Sequence, residues 1–337
     1  MNSKSVSASF CVLLSLSGSL SCKKPDIPGQ RNLKGFIIGA DNMVESNSST
    51  IDHNGSSLAE IRSVGSIASL EPGRGAHFCT GFLIAPAQAG GNPRVVTNYH
   101  CFTANSENAG PFASWACQQT KIYLGLKTDD FNSLYVAGCK SGTLKGHENA
   151  DIAVYELAVP VPGDIKFLEL DDSTTFPITA RVIHHPVAQA SMVSPPGELQ
   201  KVPGSVISRD ACVISSLSPE RQVRPDSKFL FDVSHTCDIV EGSSGAPVIN
   251  SANGKVAGVN WGGIQWASGT PAVENRAVSS SWLRAFLNGT LTEYEAQFNQ
   301  KIAENNSAAS QSSTQKSTSK PGRGNSVGGC SMMVSKP

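Results

Sequence analysis

Two adjacent serines, Ser243 and Ser244, lie in the run CDIVEGSSGAPVIN (237–250), among residues small enough for a tight turn. A serine hydroxyl attacks a carbonyl only with help. It needs an imidazole to take its proton, a carboxylate to orient that imidazole, and N–H donors for the oxyanion. Gly242, Ser244, Gly245 and Pro247 fit a backbone that turns sharply around a nucleophile, and the amides of Gly242 and Ser244 would form the oxyanion hole. Among seven histidines, His100 has the most telling context: it follows the β-type run RVVTNY and precedes Cys101. Asp151 opens the alternating stretch DIAVYEL, where an aspartate could serve turn chemistry or aim a buried carboxylate at an imidazole. The nucleophile elbow Gly-x-Ser-x-Gly fails at both serines, because Ala246 breaks it around Ser244 and Glu241 breaks it around Ser243. That pattern and the β-rich sequence argue against an esterase or lipase.

These groups need a scaffold, and the rest of the chain describes one. The chain has 337 residues, enough for one large domain or two small ones, with no formal net charge. A dedicated nucleic-acid binder would carry a basic excess, so nucleic acid is excluded as a partner. No window has the apolar length of a membrane span. From about 60 to 290, short β-type runs alternate with turn residues: RSVGSIASL, GFLIAP, RVVTNY, KIYLGL, SLYVAG, DIAVYEL, ARVIHHP, KFLFDV, APVIN and KVAGVNW. Such a series indicates an all-β sandwich or barrel. The stretch SSWLRAFLNGTLTEYEAQFNQKI then predicts a closing helix capped by Ser281.

The ends differ in kind. Residues 1–22 read as an export signal: Lys4, then the apolar FCVLLSLSGSL, then an abrupt polar switch at CKKPD. Cys22 also stands where a lipoprotein carries its lipid, although Ser19, Leu20 and Ser21 depart from the usual lipobox. A lipid there would be the chain's route to a membrane; anchored and released forms both remain open. Residues 23–55 are polar, without periodicity, and read as a propeptide or linker. The tail within 291–337 is Ser/Thr-rich and reads as disordered beyond the helix. Export makes cysteines readable as disulfides. Setting aside Cys11, Cys22 and Cys330 leaves three sequential pairs: Cys79–Cys101, Cys117–Cys139 and Cys212–Cys237. The first would lock the backbone beside His100, and the last would tether the segment before the serines. No CxxC or clustered His/Cys spacing supports a metal, and no cofactor is expected.

CTGFLIAP, VVTNYHC, ADIAVYEL and EGSSGAPV, in this order, resemble the hallmark segments of trypsin-like serine peptidases with the chymotrypsin fold. The resemblance spans roughly residues 56–290, taken as the peptidase domain. It implies an all-β fold of two six-stranded antiparallel β-barrels with a C-terminal helix. It also implies a His–Asp–Ser triad of His100, Asp151 and Ser244. The family's serine is followed by glycine and, three residues on, by proline, which Ser244 satisfies and Ser243 does not. GVNWGG resembles the strand that pairs with substrate backbone in glutamyl-endopeptidase-like enzymes, so Asn260, Trp261 and Gly262 are expected to bind substrate. VIHHP and TCDIVEGSSGAP are similar to lysyl-endopeptidase-like bacterial sequences. The family also places the residue six before the nucleophile, here Asp238, at the base of the primary specificity pocket. A buried carboxylate there would favour Arg or Lys, whereas glutamyl specificity leans on a histidine where this chain has Asn260. Digestive members carry at position 243 an aspartate that pairs with the new N-terminal amine, an ion pair Ser243 cannot make. His184 and His185 are read as lining a turn or capping a strand. The expected protein is an exported, monomeric serine endopeptidase acting on peptides or proteins. The rival from another class is a protease fold kept only for binding.

Overall fold

The computed structural model describes residues 37–38, 41–46, 56–71, 75–102, 112, 115–127, 131–148, 150–173, 175–187, 192–198, 201–216, 232–265, 273–293, 295–296, 300 and 303. The stretch 1–22 read as an export signal and the tail beyond 303 lie outside the described residues. Three residues of the stretch read as a linker, Met43–Glu45, form strand β1. Helix α1 (Leu58–Arg62) follows, closed by a capping box in which Ser57 accepts from the Glu60 N–H and Glu60 accepts from the Ser57 N–H.

The first barrel contains β2 (Val64–Glu71), β3 (Gly75–Ile84), β4 (Arg94–Thr97), β5 (Thr120–Leu124), β6 (Tyr135–Gly138), β7 (Lys145–His147) and β8 (Ile152–Glu156). A short helix α2 (Trp115–Gln118) precedes β5. Neighbouring strands run β6-β5-β2-β3-β4-β8-β7, all antiparallel. A bridge between Cys139 and Leu157 joins the end of β6 to the end of β8 and closes the ring. With β6 and β7 as one interrupted strand, this is a barrel of six staves. Its core is lined by Ile67, Leu83, Val95, Ile122, Leu124 and Tyr155.

The second barrel contains β9 (Ile178–His184), β12 (Val206–Ser216), β13 (Asp232–His235), β14 (Pro247–Asn250), β15 (Val256–Gln265) and β16 (Val273–Ser279). The strands β10 (Met192–Val193) and β11 (Val202–Pro203) form a separate hairpin. The order β12-β13-β16-β15-β14-β9 closes on itself, because β9 also pairs with β12. Strand β1 adds outside, Val44 opposite Ile207. Ile178, Val182, Ile214, Val233, Val248 and Ala257 fill this barrel. The expected pair of six-stranded antiparallel barrels is therefore present.

A third apolar cluster joins the barrels. Val64, Phe82 and Val154 from the first meet Ile183, Ile207 and Val259 from the second. Helix α3 (Ser280–Asn288) packs Trp282, Leu283 and Ala285 into the same cluster. The helix is interrupted where its pattern predicts continuity: Gly289 takes a left-handed φ of 73° and ends this segment, and helical residues resume at 291–293, 295–296, 300 and 303. Its N-cap is Ser279 rather than Ser281, and the two hydroxyls instead bond each other at 2.9 Å. No helix among the described residues is long and apolar enough to cross a membrane.

Candidate active site

His100 stands in a 3-10 turn (Tyr99–Phe102) directly after β4, and Asp151 in the turn directly before β8. Because β4 pairs with β8, with Thr97 opposite Ala153, the two residues emerge side by side at one end of the barrel. His100 Nδ1 lies 2.8 Å from Asp151 Oδ2 and 3.1 Å from Oδ1, and the His100 amide donates to Oδ1 at 3.0 Å. One carboxylate thus grips both the ring and the backbone of the histidine. The Asp151 side chain is 4% exposed and the His100 side chain 15%, so the carboxylate is sealed and the imidazole open at one edge. Asp151 has a φ of +50°, a conformation that costs a non-glycine residue energy and persists only when its surroundings enforce it. They do so here: Asn98 Nδ2 donates to the Asp151 carbonyl at 2.9 Å, and the Asp151 amide donates to Glu148 O at 3.0 Å.

Ser244 is supplied by the second barrel, in the turn before β14. Thr80 of β3 stitches this turn to the first barrel. Its amide donates to Ser244 O at 2.7 Å, its hydroxyl donates to Gly242 O at 2.9 Å, and its carbonyl accepts from Thr97 Oγ1 at 2.7 Å. Thr97 is three residues before His100, so a short path of bonds links the serine to the histidine. Gly245, at φ +86°, must be glycine, because a Cβ would overlap the Thr80 carbonyl and the Thr97 hydroxyl. Gly242, at φ +94°, has the His185 carbonyl and the Val187 amide within 2.9 Å of where a Cβ would sit.

Along this turn the amides alternate in their use. Ser243 N donates to Val240 O, Gly245 N to Asn260 O and Ala246 N to Ser243 O, at 3.0, 2.7 and 3.1 Å. Among the described residues, the Gly242 and Ser244 amides have no hydrogen-bond partner. Buried amides are nearly always paired, so two unpaired ones beside one hydroxyl mark a place prepared for an incoming acceptor. The Ser244 hydroxyl itself donates to Trp261 O at 3.4 Å.

The other sequence-derived residues fall differently. Asn260 and Trp261 are fully buried in β15. The Asn260 side chain faces inward, donating to Ser243 O at 2.8 Å and accepting from His235 Nε2 at 3.1 Å. Their main chain, continuing into Gly262, runs beside Ser244. Asp238 is 1% exposed, and its oxygens are already engaged: Oδ1 accepts the Ile38 N–H at 2.8 Å and Oδ2 the Asn42 N–H at 3.1 Å. Burial raises its pKa, with those two bonds acting against the shift. The cysteines are joined as Cys79–Cys101, Cys117–Cys139 and Cys212–Cys237, with Cα–Cα distances of 6.1, 5.2 and 4.7 Å. Cys79, His100 and Cys101 lie close enough to suggest a metal site, but both sulfurs are spent in the disulfide.

Several residues that shape this site carry no sequence signal of their own. Thr80, Thr97, Asn98 and His235 sit in ordinary strand and turn contexts, and only the tertiary fold brings them together. His184 is buried, with Nδ1 2.7 Å from Ser243 Oγ. Its neighbour His185 is buried too, with Nδ1 3.0 Å from Pro203 O.

The family model described as a trypsin-like peptidase domain matches residues 79–259, more than half of the chain. No curated protein matches it. Similar solved structures include a Glu endopeptidase in complex with MPD, at 14% identity and TM-score 0.49, covering 75% of this chain and 99% of that one. Another is the serine endoprotease from Yersinia pestis, at 11% identity and TM-score 0.46, covering 73% and 68%. On the family match, over two closed antiparallel barrels, the chain belongs to the trypsin-like serine peptidases.

Proposed function

We propose that this chain is an exported serine endopeptidase that cleaves peptide bonds through an acyl-enzyme. Ser244 is its nucleophile, His100 its general base and acid, and Asp151 the carboxylate that orients the imidazole. The observation that carries this reading is the pair of unpartnered amides, Gly242 and Ser244, beside a hydroxyl in a turn where the Ser243, Gly245 and Ala246 amides are all used. The bond from His100 Nδ1 to Asp151 supports it, because that bond keeps a proton on Nδ1 and leaves Nε2 free to accept another.

The steps follow from these positions. The Ser244 hydroxyl leaves Trp261 O, gives its proton to His100 Nε2 and attacks the scissile carbonyl carbon. The oxyanion takes the Gly242 and Ser244 amides. The tetrahedral intermediate then collapses: the C–N bond breaks, and His100 returns the proton to the leaving amine. Water, deprotonated by the same nitrogen, hydrolyses the ester and restores the serine. Throughout, Asp151 stays ionised and offsets the charge on the imidazolium.

The reaction takes place outside the cytosol in this reading, where three disulfides persist. Its substrates are peptides or proteins. The geometry does not single out Arg or Lys before the scissile bond, since the Asp238 oxygens each hold a main-chain amide and are not left to seek a basic partner. A panel of peptides ending in Arg, Lys and Glu reads the preference directly.

The test is labelling of the purified, oxidised protein with a fluorophosphonate and mass mapping of the adduct. A label on Ser244, absent in Ser244→Ala and His100→Ala, is expected, with turnover lowered on the order of a million-fold in the serine variant. A label on Ser243, or full activity in Ser244→Ala, would end this reading.

A further inference from the structure

A second serine–histidine contact is buried directly behind the first. Ser243 Oγ lies 2.7 Å from His184 Nδ1 and accepts the Val240 N–H at 3.1 Å. The Ser243 amide donates back to Val240 O at 3.0 Å. The turn from Val240 to Ser243 is thus closed twice, once by main chain and once by the hydroxyl. Ser243 is 1% exposed and His184 fully buried, so neither can meet a substrate. Yet the turn they close contains Gly242 and leads into Ser244, whose amides are the unpartnered ones.

The histidine is well placed to act as an anchor. It ends β9, opposite Val206 of β12, and β9 is also paired with β14, the strand that follows the nucleophile. The turn's far side is held independently: Val187 N donates to Glu241 O at 2.8 Å, and the His185 amide donates to Thr80 Oγ1 at 2.9 Å. The ring is neutral, since burial, with His185 and His235 nearby, pushes its pKa down to about 3. Whichever ring nitrogen carries the proton, the bond survives, because the hydroxyl either donates to Nδ1 or accepts from it.

We infer that His184 is a positioning residue: through Ser243 it fixes the Val240–Ser244 turn so that the Gly242 and Ser244 amides face the reacting carbonyl, with no ion pair involved. The inference rests on the hydrolase reading for its catalytic meaning. It adds that the oxyanion hole is built in by a neutral contact inside one barrel.

Three variants test it. Ser243→Ala removes only a hydroxyl. His184→Leu removes the ring at similar volume. His184→Asn keeps an amide near the position of Nδ1 that can bond the hydroxyl. Two readouts are taken: fluorophosphonate inactivation of Ser244, split into initial binding and phosphonylation rate, and amide hydrogen exchange across residues 240–245. Removing an oxyanion donor outright costs about 100- to 1,000-fold, so a loosened turn should slow phosphonylation by about 10- to 100-fold with binding unchanged. Exchange across 240–245 should quicken in Ser243→Ala and His184→Leu and return towards wild type in His184→Asn. The double variant should lose no more than either single one. Should His184→Leu fail to fold, Ser243→Ala decides. Unchanged phosphonylation and unchanged exchange in Ser243→Ala would overturn the inference. A wild-type protein that takes no label would instead sink the hydrolase reading, and exchange alone would then judge the anchor: quicker in Ser243→Ala upholds it, unchanged rejects it.

Discussion

The two barrels prepare their halves of the site by opposite means. On the first, Asp151 is a sealed carboxylate set against a histidine open at one edge. On the second, His184, His185 and His235 are all fully buried, and burial lowers their pKa values to about 3, 4 and 4. Only the Asn260 bond and main-chain contacts work against that shift at His235, and only main-chain contacts at His185. One half is organised by a charge that a protonated ring can lean on. The other is organised by rings that must stay neutral to fit. A histidine's role is therefore legible from its burial and partner, not from its residue type.

The largest expected break in this comparison is Asp151→Asn. It preserves shape and removes the charge on the first barrel, and an amide can favour the wrong tautomer of His100. A fall of about 10,000-fold in kcat is expected, with folding retained, measured by turnover and circular dichroism. A loss under tenfold would mean that the carboxylate is only structural.

Acid should break the second half first. The folded pKa values of the three buried histidines lie below the ordinary value of 6.5. Between about pH 6.5 and 4 the unfolded chain therefore binds more protons than the folded one. The stability these rings contribute is complete above the unfolded pKa and is lost as pH falls towards the folded values. Each proton of difference is worth about 1.4 kcal/mol per pH unit, so a loss on the order of several kcal/mol is expected between pH 7 and 5. Urea unfolding at the two pH values measures it. Equal midpoints would mean that these rings titrate in the folded protein.

The smallest effect sharpens the same contrast outside the catalytic groups. Asp238 is a buried carboxylate that holds main-chain amides rather than an imidazole. Asp238→Ala should cost about 1–3 kcal/mol by orphaning the Ile38 and Asn42 amides, and should leave the ranking of Arg, Lys and Glu peptides as in the wild type. A specific loss of Arg and Lys cleavage would return Asp238 to the pocket's base.

Much of this is legible in the sequence, for a physical reason. The residues His100, Asp151 and Ser244 sit next to strand runs whose alternation is strong, and the turn between Glu241 and Pro247 needs small residues that leave a local mark. Other elements are silent. Strand β16 carries Asn275 and Arg276, both buried, so its polar letters hide an interior strand. Strand β12 slips register between Ser208 and Cys212, which spoils its period. Strand β1 lies in a Ser- and Asn-rich stretch, and its register comes from β12, far along the chain. Asp238 shows the limit of such reading: the sequence places it by spacing from Ser244, and the amides it accepts come from residues 200 and 196 positions away, which no local pattern announces. The pair VIHHP shows only two histidines at a strand end; what they touch depends on how the second barrel closes.

The two bonds from Thr80 to the turn at Gly242 and Ser244 have a consequence in time. They join a strand that emerges early in synthesis to a turn that emerges 162 residues later. A chain with only its first barrel formed has a base and no nucleophile. One with both barrels formed but not yet joined has the parts at no useful distance. For the proposed enzyme, the ability to cut protein is thus the last property the chain acquires, and every partly folded chain is a harmless precursor.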